Sequence, residues 1–113
     1  MRAEGERIFV QSGALLSKTA SAAYDASLTG MEFASGIPGT VGGALRMNAG
    51  AYDGEMKQIV ESVEVLTADG EVLVLSAGEL GMGYRTSVIS KNDYVALSAV
   101  LKLKKGEKID IRA

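Results

Sequence analysis

The residue types and spacings that could do chemistry in this chain are concentrated in one glycine-rich run. The run is Ala34-Ser35-Gly36-Ile37-Pro38-Gly39-Thr40-Val41-Gly42-Gly43-Ala44, and it holds the only proline among 113 residues. Glycine permits positive φ and lets a ligand touch the main chain, while Pro38 fixes one φ, so the run is a shaped loop. Thr40 can cap a helix over 41–47, and the unpaired N–H groups at such a helix start bind anions, usually phosphate.

The same glycines have a second interpretation, a tight crossover in which they serve packing only. Spacing alone leaves both interpretations open. Two specific phosphate motifs are excluded, however. A P-loop needs lysine and then serine or threonine directly after its last glycine, and here Ala44 and Leu45 follow Gly43. The G-x-G-x-x-G dinucleotide fingerprint does not fit the glycine spacing either.

Missing residue types exclude several classes of site. The chain has no cysteine and no histidine, which excludes disulfides, thiolate metal sites and a Ser-His-Asp triad. The net charge of −2 gives no electrostatic reason to expect nucleic acid as a partner. Lysines 102, 104, 105 and 108 are interrupted by Glu107, and we interpret them as the solvated face and exit of a strand.

The sequence also bears on where the protein is located. No apolar run approaches the length of a membrane span, and the charged N-terminus lacks the apolar core of a signal peptide. We therefore expect a cytoplasmic protein without a membrane partner.

The apolar pattern predicts a single α+β domain over 1–113, with helices flanking a mainly antiparallel sheet. Residues 1–7 are polar, and we expect them to be frayed. A capping-box pattern at 76–79 predicts one helical turn beginning at Leu80. The other predicted elements are a strand at 8–10, helices at 15–27 and 41–47, a helical turn at 56–60, hairpin strands at 62–67 and 71–75 around Asp69-Gly70, and a central strand at 94–103.

The identities of the residues in the glycine run are more specific to one family than the spacing of its glycines. Together with Met47-Asn48-Ala49-Gly50-Ala51-Tyr52, the run closely resembles the UDP-N-acetylenolpyruvoylglucosamine reductase family. A second stretch, Tyr84-Arg85-Thr86-Ser87, agrees at the right separation. Two positions depart mildly from the family pattern: Met82 stands where an aromatic residue is more common, and Asp53 where glycine is common.

The resemblance implies a fold, a cofactor and a set of contacts. The fold is the second subdomain of a two-part FAD-binding domain like that of vanillyl-alcohol oxidase. The cofactor is FAD, with NADPH as reductant and a UDP-sugar as substrate. The implied FAD-contacting residues are Ser35, Gly36, Ile37, Pro38, Gly39, Thr40, Gly43, Ala44, Asn48 and Ala49.

The resemblance also implies which residue is catalytic and which regions of the family's enzyme have no match in this chain. Arg85 matches the family's catalytic arginine, whose planar guanidinium can hold negative charge that develops on the substrate. Tyr84 is a candidate for contact with the substrate. The family's proton-donating serine and catalytic glutamate match no residue here, and neither does its N-terminal FAD subdomain. We therefore expect a fragment that is inactive alone and needs flanking domains of the same enzyme.

The sequence leaves two alternative functions open. The chain could be the FAD-binding subdomain of another flavin oxidase or dehydrogenase of the same superfamily. It could also be a non-catalytic binding or structural domain, in which the glycine run serves packing.

Overall fold

The fold is built on one five-stranded antiparallel sheet with the order β1-β2-β8-β6-β7. A computed structural model describes residues 1–51, 54–83 and 86–106. The strands in these residues are β1 (Arg2–Glu4), β2 (Arg7–Gln11), β3 (Leu28–Thr29), β4 (Gly50–Ala51), β5 (Gly54–Glu55), β6 (Val60–Leu66), β7 (Val72–Ser76), β8 (Val95–Lys102) and β9 (Lys104–Lys105). The helices are α1 (Leu16–Asp25), α2 (Val41–Met47) and α3 (Val88–Lys91), with 3-10 helices at Glu32–Gly36 and Met56–Gln58.

One face of the large sheet carries the core, because alternate side chains of its strands point to the same side. Ile8 of β2 pairs with Leu101 of β8, and Val63 of β6 is fully buried beside them. Helix α2 packs against β8 and β2, and α1 packs against the 3-10 helix Glu32–Gly36. The α+β prediction is confirmed, and so is the central place of the strand predicted at 94–103.

The other face of the sheet is partly solvated. The hairpin strand β7 alternates as predicted, and its Val72 and Val74 are 57% and 66% exposed. Lys102, Lys104 and Lys105 are also exposed, as expected for the solvated end of a strand, whereas Lys108 and Glu107 lie outside the described residues. None of the helices described is long and apolar enough to cross a membrane.

Two local predictions are wrong, and one short helix is missing from the predictions. Residues 2–4 are not frayed, because β1 pairs with β2 at the sheet edge. No helix begins at Leu80; the backbone N–H of Ser76 donates to the Glu79 carboxylate at 2.9 Å, so only half of the predicted capping box forms, within a turn. The four-residue helix α3 was not predicted at all.

Candidate functional site

Helix α2 lies at the centre of the candidate site and begins and ends where the sequence predicts. Thr40 has extended backbone angles, and its hydroxyl oxygen accepts a hydrogen bond from the N–H of Gly43 at 3.2 Å, a standard N-cap. The helix ends at Asn48, which adopts the left-handed conformation with φ 49°. The glycine loop therefore enters this helix at one end, and the Asn48 turn leaves it at the other.

The anion site predicted at the start of α2 is not formed by the helix itself. The N–H of Val41 donates to the carbonyl of Ala14 and the N–H of Gly42 to the carbonyl of Ser12, both at 2.9 Å. The prediction of unpaired N–H groups there is wrong, because the turn after β2 lies across the helix start. The free donors come just before the helix: the N–H groups of Gly39 and Thr40 have no hydrogen-bond partner among the residues described.

The glycines of the loop divide into a packed type and an open type. A Cβ added to Gly42 would come within 3.0 Å of the Cβ of Ser12, so glycine is needed there for packing. A Cβ added to Gly36 or Gly39 would meet no described atom within 4 Å, and both residues are exposed. Gly39 also needs to be glycine because its φ is +106°. Packing therefore explains why residue 42 is a glycine, but it gives no reason for a glycine at position 36, where a Cβ would fit.

The 3-10 helix before the loop is held by the carboxylate of Glu32. Its two oxygens accept the N–H of Gly30 at 2.9 and 3.0 Å, and one also accepts the hydroxyl of Thr29. Partial burial raises the pKa of Glu32, but the hydrogen bonds from Thr29 and Gly30 lower it more, so the net pKa lies below the ordinary value. The carboxylate therefore stays ionised near neutral pH and fixes the turn that leads into the loop.

The far end of α2 is tied to a third segment of the chain. Asn48 is 4% exposed; its Oδ1 accepts the N–H of Lys57 and its Nδ2 donates to the carbonyl of Gly83, both at 2.8 Å. The hydroxyl of Ser87 donates to the carbonyl of Arg46 at 2.9 Å. Gly83 and Thr86 also exchange two backbone hydrogen bonds with each other. Tyr84 and Arg85, which lie between them in sequence, are outside the described residues.

The other predicted contact residues differ in exposure. Two of them, Ala44 and Asn48, are buried, and Ile37 and Ala49 are half-buried. The exposed ones are Ser35, Gly36, Pro38, Gly39, Thr40 and Gly43. Sequence reasoning missed the carbonyls of Ser12 and Ala14 as partners of α2. Backbone carbonyls carry no residue signature, so nothing in the sequence marks them.

A family profile described as an FAD binding domain matches residues 1–76, which is two thirds of the chain and contains the whole glycine loop. The chain belongs to the FAD-binding domain family. FAD is therefore its cofactor, and the fold expected from the resemblance is confirmed.

Several curated relatives of this FAD-binding domain carry the same name. UDP-N-acetylenolpyruvoylglucosamine reductase from Clostridium tetani is 54% identical over 111 residues, covering 98% of this chain and 36% of that protein. The reductase from Alkaliphilus metalliredigens is 51% identical over 113 residues, or 100% of this chain and 37% of that protein. The crystal structure of the Thermus caldophilus reductase superposes with a TM-score of 0.85 at 39% identity, covering 96% of this chain and 40% of that one. The chain spans little more than a third of the curated relatives.

The open part of the loop fits FAD. The space beside Gly36 and Gly39 lets a cofactor approach the main chain, and the free N–H groups of Gly39 and Thr40 can donate to phosphate or to polar ring atoms. Leu15, which pairs with Thr40, is 45% exposed and adds apolar surface beside these donors. Apolar surface with a few convergent polar groups is typical of a cofactor site.

Proposed function

We propose that this chain is the FAD- and substrate-contacting domain of an NADPH-dependent reductase. The enzyme would convert UDP-N-acetylglucosamine enolpyruvate to UDP-N-acetylmuramate, a step of peptidoglycan synthesis, in the cytoplasm. One observation carries the proposal: α2 connects the glycine loop with Gly83 and Ser87, described residues that flank Tyr84-Arg85 in sequence. A seven-residue helix is about 10 Å long, so the glycine loop and these flanking residues lie within reach of one ligand pair.

The chain's own residues have separate tasks in this proposal. FAD, when bound, supplies hydride transfer between the nicotinamide and the enolpyruvyl substrate. The loop from Ser35 to Thr40 receives the cofactor along its open backbone. Arg85 holds the negative charge that develops on the substrate carboxylate, which a guanidinium can do without losing its own proton. Tyr84 contacts the substrate beside it.

The activity belongs to a longer protein than this chain. The relatives are nearly three times its length, and the resemblance assigns their proton-donating serine and catalytic glutamate to regions that this chain does not match. We therefore expect the 113 residues alone to be inactive and to retain FAD weakly, with flanking domains completing the site.

A second candidate is an FAD-binding subdomain of another flavin oxidase or dehydrogenase. One observation favours this candidate: the residues that the family profile matches end at 76, so the match does not include Tyr84-Arg85. The two candidates differ in the electron acceptor. Oxidation of reduced flavin by UDP-N-acetylglucosamine enolpyruvate would support the reductase, and its absence would support the alternative.

The test is best made in a host enzyme: the Clostridium tetani reductase with its matched segment replaced by this chain. In this host, Arg85→Ala should slow flavin oxidation by the enolpyruvyl substrate by roughly 100- to 1,000-fold, the usual loss for a group that stabilises developing charge. Flavin reduction by NADPH should be unchanged. Stopped-flow absorbance of the flavin measures the two half-reactions separately.

The matched control is Arg2→Ala, at the exposed sheet edge with its guanidinium over the ring of Phe9. It should leave both half-reactions at the parent rate. If Arg85→Ala slows both half-reactions equally, or neither, the proposed role of Arg85 is wrong. A host that stays colourless in the presence of FAD would contradict the proposal as a whole.

A further inference from the structure

We propose that Asn48 and Ser87 are positioning residues: they hold the described residues that flank Tyr84-Arg85 in place relative to the glycine loop, and the step that uses Arg85 depends on them. The inference rests on the proposed function, because it assumes that Tyr84-Arg85 acts on the substrate. Both side chains connect the C-terminal end of α2 with the segments that flank the pair. Neither needs to touch cofactor or substrate in order to act.

Both polar atoms of the Asn48 side-chain amide form hydrogen bonds within the protein. Its Nδ2 donates to the carbonyl of Gly83, directly before the pair, and its Oδ1 accepts the N–H of Lys57, each at 2.8 Å. The residue is 4% exposed. The resemblance implies an FAD contact for Asn48, whereas these bonds indicate a tie between two backbone segments.

The backbone of Asn48 supports the same interpretation. It ends α2 in the left-handed conformation, where glycine is the usual residue because it has no Cβ. Asparagine is the next most tolerant residue there, and it adds an amide that glycine lacks. At this position the amide makes two bonds to distant segments. The capping geometry alone would be satisfied by glycine, so the bridging amide is what asparagine adds.

Ser87 ties the other flank of the pair to the same helix end. It is fully buried, and its hydroxyl donates to the carbonyl of Arg46 at 2.9 Å. It also stands at the N-cap position of α3, yet its side chain makes no cap hydrogen bond. A serine at this position usually caps its own helix. Here the hydroxyl bonds to α2 instead, which favours tertiary positioning over local capping.

The two ties and the Gly83–Thr86 pairing fix the positions at which the chain enters and leaves Tyr84-Arg85. A charge-stabilising group loses roughly 100-fold in rate when it is displaced by about 1 Å. Loss of either tie should therefore affect the step that uses Arg85 and spare the step that uses only the cofactor.

Asn48→Asp in the host enzyme is the main test. The carboxylate still accepts from Lys57, but it cannot donate to Gly83 and sets an oxygen against that carbonyl. Flavin oxidation by the enolpyruvyl substrate should slow by about 100-fold, with NADPH reduction and the flavin absorbance spectrum unchanged. Ser87→Ala, which removes only a hydroxyl, should slow the same step by about tenfold. The controls Asn92→Asp and Ser17→Ala, both at exposed positions, should have no effect on either step.

A double mutant shows whether Asn48 acts through Arg85. In the Arg85→Ala background, Asn48→Asp should cause no further slowing, because the group that it positions is absent. Full additive slowing would overturn the inference. Loss of FAD, or equal slowing of both half-reactions, by well-folded Asn48→Asp would also overturn it, in favour of a cofactor contact.

The remaining outcomes separate this inference from the proposed function. If Asn48→Asp fails to fold, Ser87→Ala decides: slowing of the oxidative step alone supports the inference, and a parent rate overturns it. If Arg85→Ala slows the oxidative step while Asn48→Asp and Ser87→Ala do not, the proposed function stands and the inference fails. If Arg85→Ala has no effect, the proposed role of Arg85 is wrong, and the inference, which depends on that role, is overturned with it.

Discussion

The two ends of α2 are built in opposite ways. At the loop end, Gly36 and Gly39 are exposed, with no described atom near the position of a Cβ, and the N–H groups of Gly39 and Thr40 have no hydrogen-bond partner in the described part of the chain. At the Asn48 end, the side chains of Asn48 and Ser87 are buried and their polar atoms are hydrogen-bonded. The first arrangement is suited to a ligand from outside, and the second to holding chain segments together.

The comparison extends to the glycines beyond Asn48. A Cβ added to Gly50 would lie 2.7 Å from the carbonyl oxygen of Gly54, and one added to Gly54 would lie 2.7 Å from the ring of Phe33. Gly50 therefore permits close pairing of β4 with β5, and Gly54 permits close packing of β5 against Phe33. Glycine content alone therefore does not identify a ligand site; the space around each glycine does.

The largest effect on stability is expected at the packed end. Gly54→Ala in the host enzyme should destabilise the fold by about 1–3 kcal/mol, because Phe33 is buried and cannot move away without cost. Thermal unfolding of the FAD-free protein measures this. Gly78→Ala is the matched control, since its added Cβ meets no described atom. A Gly54→Ala protein as stable as the control would mean that the packed end is looser than described.

A smaller and pH-dependent effect is expected at the segment that leads into the open end. Because the pKa of Glu32 is lowered in the folded protein, its stabilisation is present above its ordinary value of 4.5 and is lost as pH falls through the folded value. Glu32→Gln should therefore lower the unfolding temperature slightly at pH 7, and the difference from the parent should shrink below pH 4.5. A difference that is constant from pH 7 to pH 3 would contradict the role of the ionised carboxylate.

Local signals in the sequence predict the start of α2 and the β6–β7 hairpin correctly. Thr40, which follows Pro38-Gly39, gives the start of α2, and Asp69-Gly70 gives the β6–β7 hairpin, because these preferences act within a few residues. The start of α2 and the hairpin are set by neighbours in the chain. The cofactor was indicated by the resemblance of the glycine run to a known family.

The features that the sequence does not predict depend on contacts between residues that are distant in the chain. The N–H groups at the start of α2 are satisfied by carbonyls some 30 residues earlier, and Ser87 bonds to a carbonyl 41 residues away. The short helix α3 and the charged edge strand β1 are likewise held by partners that no local pattern shows. Distinguishing Gly36 from Gly42 required the positions of their neighbours.

The central claim is that the open end of α2 is shaped for FAD, and Gly36 gives its most direct test. Its φ lies outside the glycine-favouring region and its Cβ position is empty, so Gly36→Ala should leave the unfolding temperature unchanged or slightly raised. In the host enzyme we predict that this substitution raises the FAD dissociation constant at least tenfold, or about 1.4 kcal/mol, while Gly78→Ala does not. Flavin fluorescence titration of the FAD-free protein measures both. An unchanged dissociation constant for Gly36→Ala would contradict the claim.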